Sequence, residues 1–89
     1  MLLLDFDSIF FKEGSIVVAY CPELDVSSCG NDIEQARTNL KTAVRLFVEE
    51  AHNMGTLEDI LEEAGFTQTS ESSWIPPLLL ATEIMSMAT

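Results

Sequence analysis

Two short segments near the start of the chain have the pattern of β-strands. In one, apolar residues alternate with polar ones, and in the other, apolar residues follow one another without interruption. Residues 2–12 place apolar side chains on both faces of an extended segment, which predicts a first strand. A hairpin turn follows at Gly14, which tolerates positive φ. Residues 16–20 are apolar without interruption. The second strand, 15–21, is therefore expected to be buried on both faces and central in its sheet.

Proline and a helix cap mark the end of the predicted hairpin and the start of a long helix. Pro22 lacks an amide donor and ends the second strand, and a short third strand is expected at 24–28. Asp32 is the expected N-cap, and Gln35 completes a capping box. Gly55 ends the helix, which buries one stripe of apolar residues at helical spacing. The stripe consists of Ile33, Ala36, Leu40, Ala43, Val44, Phe47, Val48 and Ala51.

The last third of the sequence predicts a short helix, a loop and a final strand. Thr56 caps a helix over 57–64, and the polar residues 66–73 predict a loop. Residues 78–87 are compatible with a short helix, but their alternation between two sets of side chains favours a terminal strand, which a right-handed crossover places beside the first strand. The prediction for residues 1–89 is one α+β domain with the order β-β-β-α-α-β and a single four-stranded sheet.

Acidic residues dominate the charge of the 89-residue chain. Fifteen Asp and Glu face four Lys and Arg, which gives a net charge of −11 and argues against independent nucleic-acid binding. The acidity either serves solubility or matches a basic partner. No stretch approaches the ~20 apolar residues of a membrane span, and the first residues lack the basic flank of a signal peptide. A soluble, cytoplasmic protein that binds no membrane is therefore expected.

Candidate catalytic and metal-binding residues are few. Asp5 and Asp7 share a face of the predicted first strand and are the acids to consider for Mg²⁺, but a two-metal nuclease needs further converging carboxylates. His52 is the only histidine and lies near a helix end. Cys21 and Cys29 form no recognisable zinc site, and both are expected to be reduced, packed thiols. The sequence therefore assigns no catalytic residue, no cofactor and no metal ligand.

Apolar surface in excess of what one helix can cover points to an oligomer. The predicted second and last strands are apolar on both faces, whereas one helix covers one face of a sheet. The other face is left to the short helix, a second copy of the chain or a different partner. We expect a homodimer, or a tetramer built as a dimer of dimers. The expected interface residues are Leu78, Leu80, Ile84, Met85, Met87 and Trp74.

Residues 19–36 combine a buried strand, a proline turn, a glycine and a helix start. The strand runs into Tyr20-Cys21-Pro22-Glu23-Leu24, and the helix opens with Ile33-Glu34-Gln35-Ala36. The positions that carry the pattern are Tyr20, Pro22, Glu23, Leu24, Gly30, Asp32, Glu34 and Ala36. This pattern resembles the HicB-like family of small antitoxins, in its short, stand-alone form without a DNA-binding extension. The resemblance implies a reduced ribonuclease H-like fold.

Three functions follow from these observations. The resemblance implies a protein-binding module, antitoxin-like, that neutralises a small basic HicA-type mRNA interferase by direct binding. The alternative is an orphan protein of the same fold that oligomerises or binds another partner. A degenerate ribonuclease H-like nuclease using Asp5 and Asp7 is the least favoured, because the remaining acids lie at turns, helix caps and exposed helix faces. We therefore expect a binding protein and not an enzyme.

Overall fold

Both helices and sheets are present, which confirms the α+β class. A computed structural model describes residues 2–88 and contains two helices and six short strands in that range. The strands form two three-stranded sheets, ordered β2-β3-β4 and β1-β6-β5, in place of the single four-stranded sheet predicted. In chain order the elements are β1 (Leu3–Leu4), β2 (Ile9–Glu13), β3 (Ile16–Cys21), β4 (Val26–Gly30), α1 (Ile33–Asn53), α2 (Leu57–Glu63), β5 (Thr67–Ser70) and β6 (Ser73–Ile75).

Strand β3 is central in its sheet, as predicted. It pairs antiparallel with β2 on one side and with β4 on the other. Gly14 lies in the turn between β2 and β3 with a φ of 60°, which a residue without a Cβ adopts freely. Ala19 and Cys21 are fully buried, while Ile16 and Val18 are only half-buried. Burial on both faces was therefore a wrong expectation, because one face of the strand is left open.

The predicted first strand is broken in two. Its first part, β1, pairs in parallel with β6, so that Leu3 lies opposite Ser73 and Leu4 opposite Trp74. The Leu3 N–H donates to the Ser72 carbonyl at 2.7 Å, and the Asp5 N–H donates to the Trp74 carbonyl at 3.2 Å. The second part, β2, begins at Ile9 and belongs to the other sheet. Competition between these two sets of partners breaks the alternating segment.

The end of the chain differs most from its prediction. The segment 66–73, predicted to be a loop, contains β5 and the first residue of β6, and these two strands pair antiparallel. The predicted strand 78–87 is absent, and residues 76–88 have neither helix nor strand. A C-terminal strand does lie beside the first strand, but it is β6, so the position is already taken. Pro76 and Pro77 have no amide donors and end β6 directly after Ile75.

Helix α1 starts where the sequence predicts it. Asp32 has an extended backbone, and its Oδ1 accepts a hydrogen bond from the Gln35 N–H at 2.8 Å. Gln35 Oε1 accepts from the Asn31 N–H at 2.6 Å, one residue before the position that a capping box uses. At the other end, Gly55 follows the helix with a φ of 73°. The buried face of the helix consists of Ala36, Leu40, Val44 and Ala51.

The core lies between α1, one face of the β2-β3-β4 sheet, α2 and β6. Thr56 precedes α2 without a side-chain capping bond, because its hydroxyl donates instead to the Ala51 carbonyl at 3.3 Å. No helix within residues 2–88 is both long and apolar enough to cross a membrane. The buried core residues are Ala19, Cys21, Leu24, Ala36, Leu40, Val44, Ala51, Leu57, Leu61, Phe66 and Trp74.

Candidate protein-binding surfaces

The turn after β3 is closed by the side chains of the family-like pattern. The Tyr20 hydroxyl donates a hydrogen bond to Asp25 Oδ1 at 2.9 Å, across the turn that contains Pro22. Asp25 has a φ of 55°, and aspartate tolerates this left-handed conformation better than most residues. Leu24 is buried in the core from the same turn. These positions of the pattern therefore have structural roles.

Glu23 ties this turn to the loop between β1 and β2. Its Oε1 accepts from the Asp7 N–H at 3.2 Å and from the Cys21 thiol at 3.4 Å. Burial raises the pKa of the Glu23 carboxyl above its ordinary value of 4.5. Burial also raises the pKa of the Cys21 thiol to about 11, so this group stays protonated at neutral pH. The hydrogen bond to the Asp25 carboxylate raises the pKa of the Tyr20 hydroxyl.

The remaining positions of the pattern join β4 to α1. A Cβ on Gly30 would lie 2.6 Å from the Ala36 backbone nitrogen, so only glycine fits there. Ala36 is fully buried, and Asp32 caps the helix. Glu34 is exposed and forms an ion pair with Arg37 one turn on. Packing, capping and turn requirements account for the pattern, which leaves the binding surface to be found elsewhere.

One face of the β2-β3-β4 sheet is apolar and uncovered. Opposite residues in an antiparallel pair share a face, and the pairs Ile9–Tyr20 and Phe11–Val18 lie on the face away from α1 together with Ile16. None of these five side chains belongs to the core cluster, and Phe11 is 52 % exposed. Helix α1 packs on the opposite face, and α2 packs against α1. We call Ile9, Phe11, Ile16, Val18 and Tyr20 the open face.

Cys29 lies at the edge of the open face. It is opposite Val18 on β4 and is exposed, so the expectation of a packed thiol is wrong for this cysteine. The expectation is confirmed for Cys21, which points to the other face of the sheet and is fully buried. Side chains alternate between the two faces along each strand. Cys29 lies opposite Val18, which is three residues before Cys21 on β3, so the two cysteines are on opposite faces of the sheet.

The predicted interface residues of the last segment are exposed and do not pack against the rest of residues 2–88. We call residues 78–87 the arm. Ile84 is 97 % exposed and Leu80 is 87 % exposed, and Leu78, Met85 and Met87 are exposed to a similar extent. Trp74, the sixth predicted interface residue, is different, because it belongs to β6 and is 4 % exposed. It contributes to the core and to the floor of a groove.

That groove lies between the end of α1, the start of α2 and the turn between β5 and β6. Its volume is about 620 Å³. Leu2, Val48, Leu57 and Trp74 supply apolar lining. The polar lining residues are Glu49, His52, Asn53, Glu58, Glu71 and Ser72. Among the described lining residues no Lys or Arg occurs, so the groove is apolar at its base and acidic around it.

The sequence contains a signal for this acidic groove, although sequence reasoning missed it. All four Lys and Arg residues lie in residues 12–45. Residues 49–71 contain seven Asp and Glu and no Lys or Arg. Counting charge over the whole chain hides this separation. The fold then brings both ends of the acidic segment, Glu49 and Glu71, to one groove.

The carboxylates considered for metal binding do not lie on a strand. Asp5 and Asp7 are in the loop between β1 and β2, which corrects their predicted placement on one strand face. Asp5 lines a groove of about 310 Å³ together with Arg37 and Lys41. The backbone of Asp7 is bonded to Glu23. Within residues 2–88, no three His, Cys, Asp or Glu side chains are placed to hold one metal ion.

No family model matches this sequence, and no curated protein or solved structure matches it.

Proposed function

We propose that the chain is a protein-binding module of the HicB-like type, which binds and neutralises a small basic protein as an antitoxin covers a HicA-type mRNA interferase. The observation that carries the proposal is the separation of charge. Seven acids and no Lys or Arg lie in residues 49–71, and three of these acids, Glu49, Glu58 and Glu71, line a groove that also has apolar lining. A basic protein is the partner whose charge this surface complements.

The chemistry of the groove suits Lys and Arg side chains. Their methylene stems pack on apolar surface while the charged group stays near water and acidic partners. Leu2 and Val48, which are partly exposed, offer apolar surface above the buried Leu57 and Trp74, and Glu58 and Glu71 offer the carboxylates. Charges around an interface mainly raise the association rate and select the partner, so binding is expected to weaken with salt.

The strand and helix order adds support from the sequence resemblance. The resemblance predicts three antiparallel strands followed by a capped helix; this order is found over residues 9–53, although the first strand was expected to begin at residue 2, and the pattern residues occupy the turn and the helix cap. A HicA-type toxin is basic, so it meets the charge requirement. The fold of the HicB-like family therefore forms part of the proposal.

The decisive experiment is coexpression with a small basic HicA-type reading frame adjacent to the gene for this chain. We expect the toxin alone to stop growth, the pair to restore growth, and the two proteins to copurify. The variant Glu58→Gln with Glu71→Gln is expected to weaken binding about tenfold, or ~1.4 kcal/mol.

The matched control removes the same charge from other surfaces. Glu62→Gln with Glu63→Gln removes the same charge from exposed positions of α2 that do not line the groove and lie outside the open face and the arm. Equal weakening by the two double variants would place the contribution in overall charge and contradict a groove-specific site. Failure of the adjacent basic protein to copurify would contradict the toxin-neutralising function.

A second candidate is an orphan protein of this fold that forms oligomers without a toxin. The observation in its favour is the pair of uncovered apolar surfaces, the open face and the arm. An oligomer in the absence of any basic partner, combined with no adjacent basic reading frame, favours this second function.

A further inference from the structure

We infer that two copies of the chain exchange arms, so that the arm of each copy lies across the open face of the other. The inference does not rest on the proposed binding of a basic protein. It joins two surfaces that the described fold leaves uncovered, one on each copy. Such an exchange is symmetric, because each copy gives an arm and receives one.

The arm has the composition of a segment that is covered by protein. Of its ten residues, Leu78, Leu79, Leu80, Ile84, Met85 and Met87 are large and apolar. Five of these six side chains are more than four-fifths exposed in the single chain, and Leu79 is the exception at 48 %. Large apolar side chains exposed in this number over so short a segment mark an interaction site.

In the single chain the arm is not folded onto its own open face, since five of its six large apolar side chains are more than four-fifths exposed, which leaves a second copy as the occupant we infer. The arm follows β6, which belongs to the β1-β6-β5 sheet, whereas the open face belongs to the β2-β3-β4 sheet. Pro76 and Pro77 stiffen its start, and Pro77 packs close to Gly65 after α2. An extended arm of ten residues spans about 33 Å at ~3.3 Å per residue. That length compares with principal extents of 43 × 30 × 20 Å for the chain, so the arm reaches across a neighbouring copy.

Charge also selects these two surfaces for contact between copies. Two chains that each carry −11 repel one another, so a dimer forms most easily through the least charged surface. The arm contains one acid, Glu83; the open side of β2 and β3 contains Glu13, and the Asp25 carboxylate lies at the end of the open face, bonded to Tyr20. The seven acids of residues 49–71 lie outside both surfaces. Of the other exposed apolar side chains, Leu46 lies on α1, Met54 directly follows it, and Leu3 and Ile75 belong to the β1-β6-β5 sheet.

The size of the exchange is adequate for a dimer. Each copy contributes the ten arm residues and also the open face with its flanking side chains. This approaches the roughly 20–30 residues a side of a stable interface. One arm on one face, without the reciprocal exchange, would supply only half of this number of interface residues.

The first test is the oligomeric state of the purified full chain by analytical ultracentrifugation at micromolar concentration, with no partner present. We expect a dimer. Leu80→Glu with Ile84→Glu is expected to weaken the dimer about a hundredfold, tenfold for each side chain. The control Leu46→Glu with Met54→Glu adds the same charge and removes the same number of exposed apolar side chains. We expect the control to stay dimeric. A monomeric unmodified chain, or equal dissociation by both variants, overturns the inference.

The second test uses Cys29 as a natural reporter at the edge of the open face. One chain carries Ile84→Cys with Cys29→Ser, and the other chain retains Cys29 and the natural arm. Cys21 is buried in both. After mixing and treatment with the thiol oxidant diamide, we expect a disulfide between the two unlike chains, identified by mass. Leu46→Cys with Cys29→Ser is the control and is expected to give far less of it.

The same cysteine variants distinguish whether the arm on the open face comes from the same chain or from the partner copy. A chain that carries both Ile84→Cys and Cys29 and closes a disulfide within itself, without joining unlike chains, shows that the arm covers its own face and overturns the exchange. Absence of both cross-links overturns it as well. Neither result affects the groove, so the exchange and the proposed basic partner succeed or fail separately.

Discussion

The two faces of the β2-β3-β4 sheet are both apolar, yet only one of them is covered. Toward α1 the sheet presents Ala19 and Cys21, which are fully buried against Leu40 and its neighbours. Away from α1 it presents Phe11 and Val18, which remain at least partly exposed. Phe10 and Val17 also lie on the covered side and pack against the core, so large apolar side chains occur on both faces. The comparison teaches that side-chain type sets the potential for burial, and the position of the helix decides which face uses it.

The largest expected difference between the faces is in the cost of truncation. Leu40→Ala removes a buried side chain under the sheet and is expected to lower the free energy of unfolding by about 2–5 kcal/mol. Phe11→Ala, on the open face, is expected to cost less than about 1 kcal/mol. Urea denaturation followed by Trp74 fluorescence measures both, at concentrations low enough to keep the chain monomeric. Equal losses would show that the open face belongs to the core.

Adding a methyl group sharpens the comparison at the junction of β4 and α1. Gly30→Ala places a Cβ against the backbone of Ala36 and is expected to cost about 1–3 kcal/mol, because the strand and the helix must move apart. Cys29→Ala, one residue away on the open side, is the control and is expected to change stability little. Thermal unfolding monitored by circular dichroism compares the two. A neutral Gly30→Ala would mean that the helix yields without cost.

The smallest expected effect is on how the Tm depends on pH, and it is compared between the partly buried Glu23 and the exposed Glu13. Burial raises the pKa of Glu23 in the folded protein, so its charge opposes folding at neutral pH. The folded state takes up this proton more readily than the unfolded state, and the penalty is lost as the pH falls through the raised pKa and below the ordinary value of 4.5. Glu23→Gln is therefore expected to raise the Tm slightly at pH 7 and to lose that advantage below about pH 4.

Glu13 provides the matched control because it is exposed on the open side of β2. Glu13→Gln removes the same charge, and no comparable change of Tm with pH is expected. If the two variants behave alike across the pH range, the effect comes from the net charge of −11 and not from burial of Glu23.

Local signals predicted the middle of the molecule well. Gly14 marked the hairpin, Pro22 the end of β3, and Asp32 the first turn of α1, because each acts on its immediate neighbours in the chain. The central position of β3 followed from its apolar run. These features need no knowledge of distant partners, so a single sequence was sufficient for them.

Long-range pairing explains the failures. The break between β1 and β2 depends on β6, a partner at the other end of the sequence. The alternation of 78–87 is a genuine strand pattern, but β6 occupies the place beside β1 and leaves those residues without a ladder. The acidic groove was missed because its carboxylates come from α1, α2 and the β5-β6 turn. Segment-by-segment charge, rather than net charge, would have indicated it.

The parallel pairing of β1 with β6 has a consequence for synthesis on the ribosome. Leu3 lies opposite Ser73, so the first strand has no ladder partner until translation has passed residue 73. At ~5–20 residues per second that interval is on the order of 4–14 s, whereas a hairpin such as β2-β3 forms in about 1–10 μs. The β2-β3 hairpin and α1 therefore have time to form first. Of the six described strands, the first to be synthesised is among the last to join its sheet.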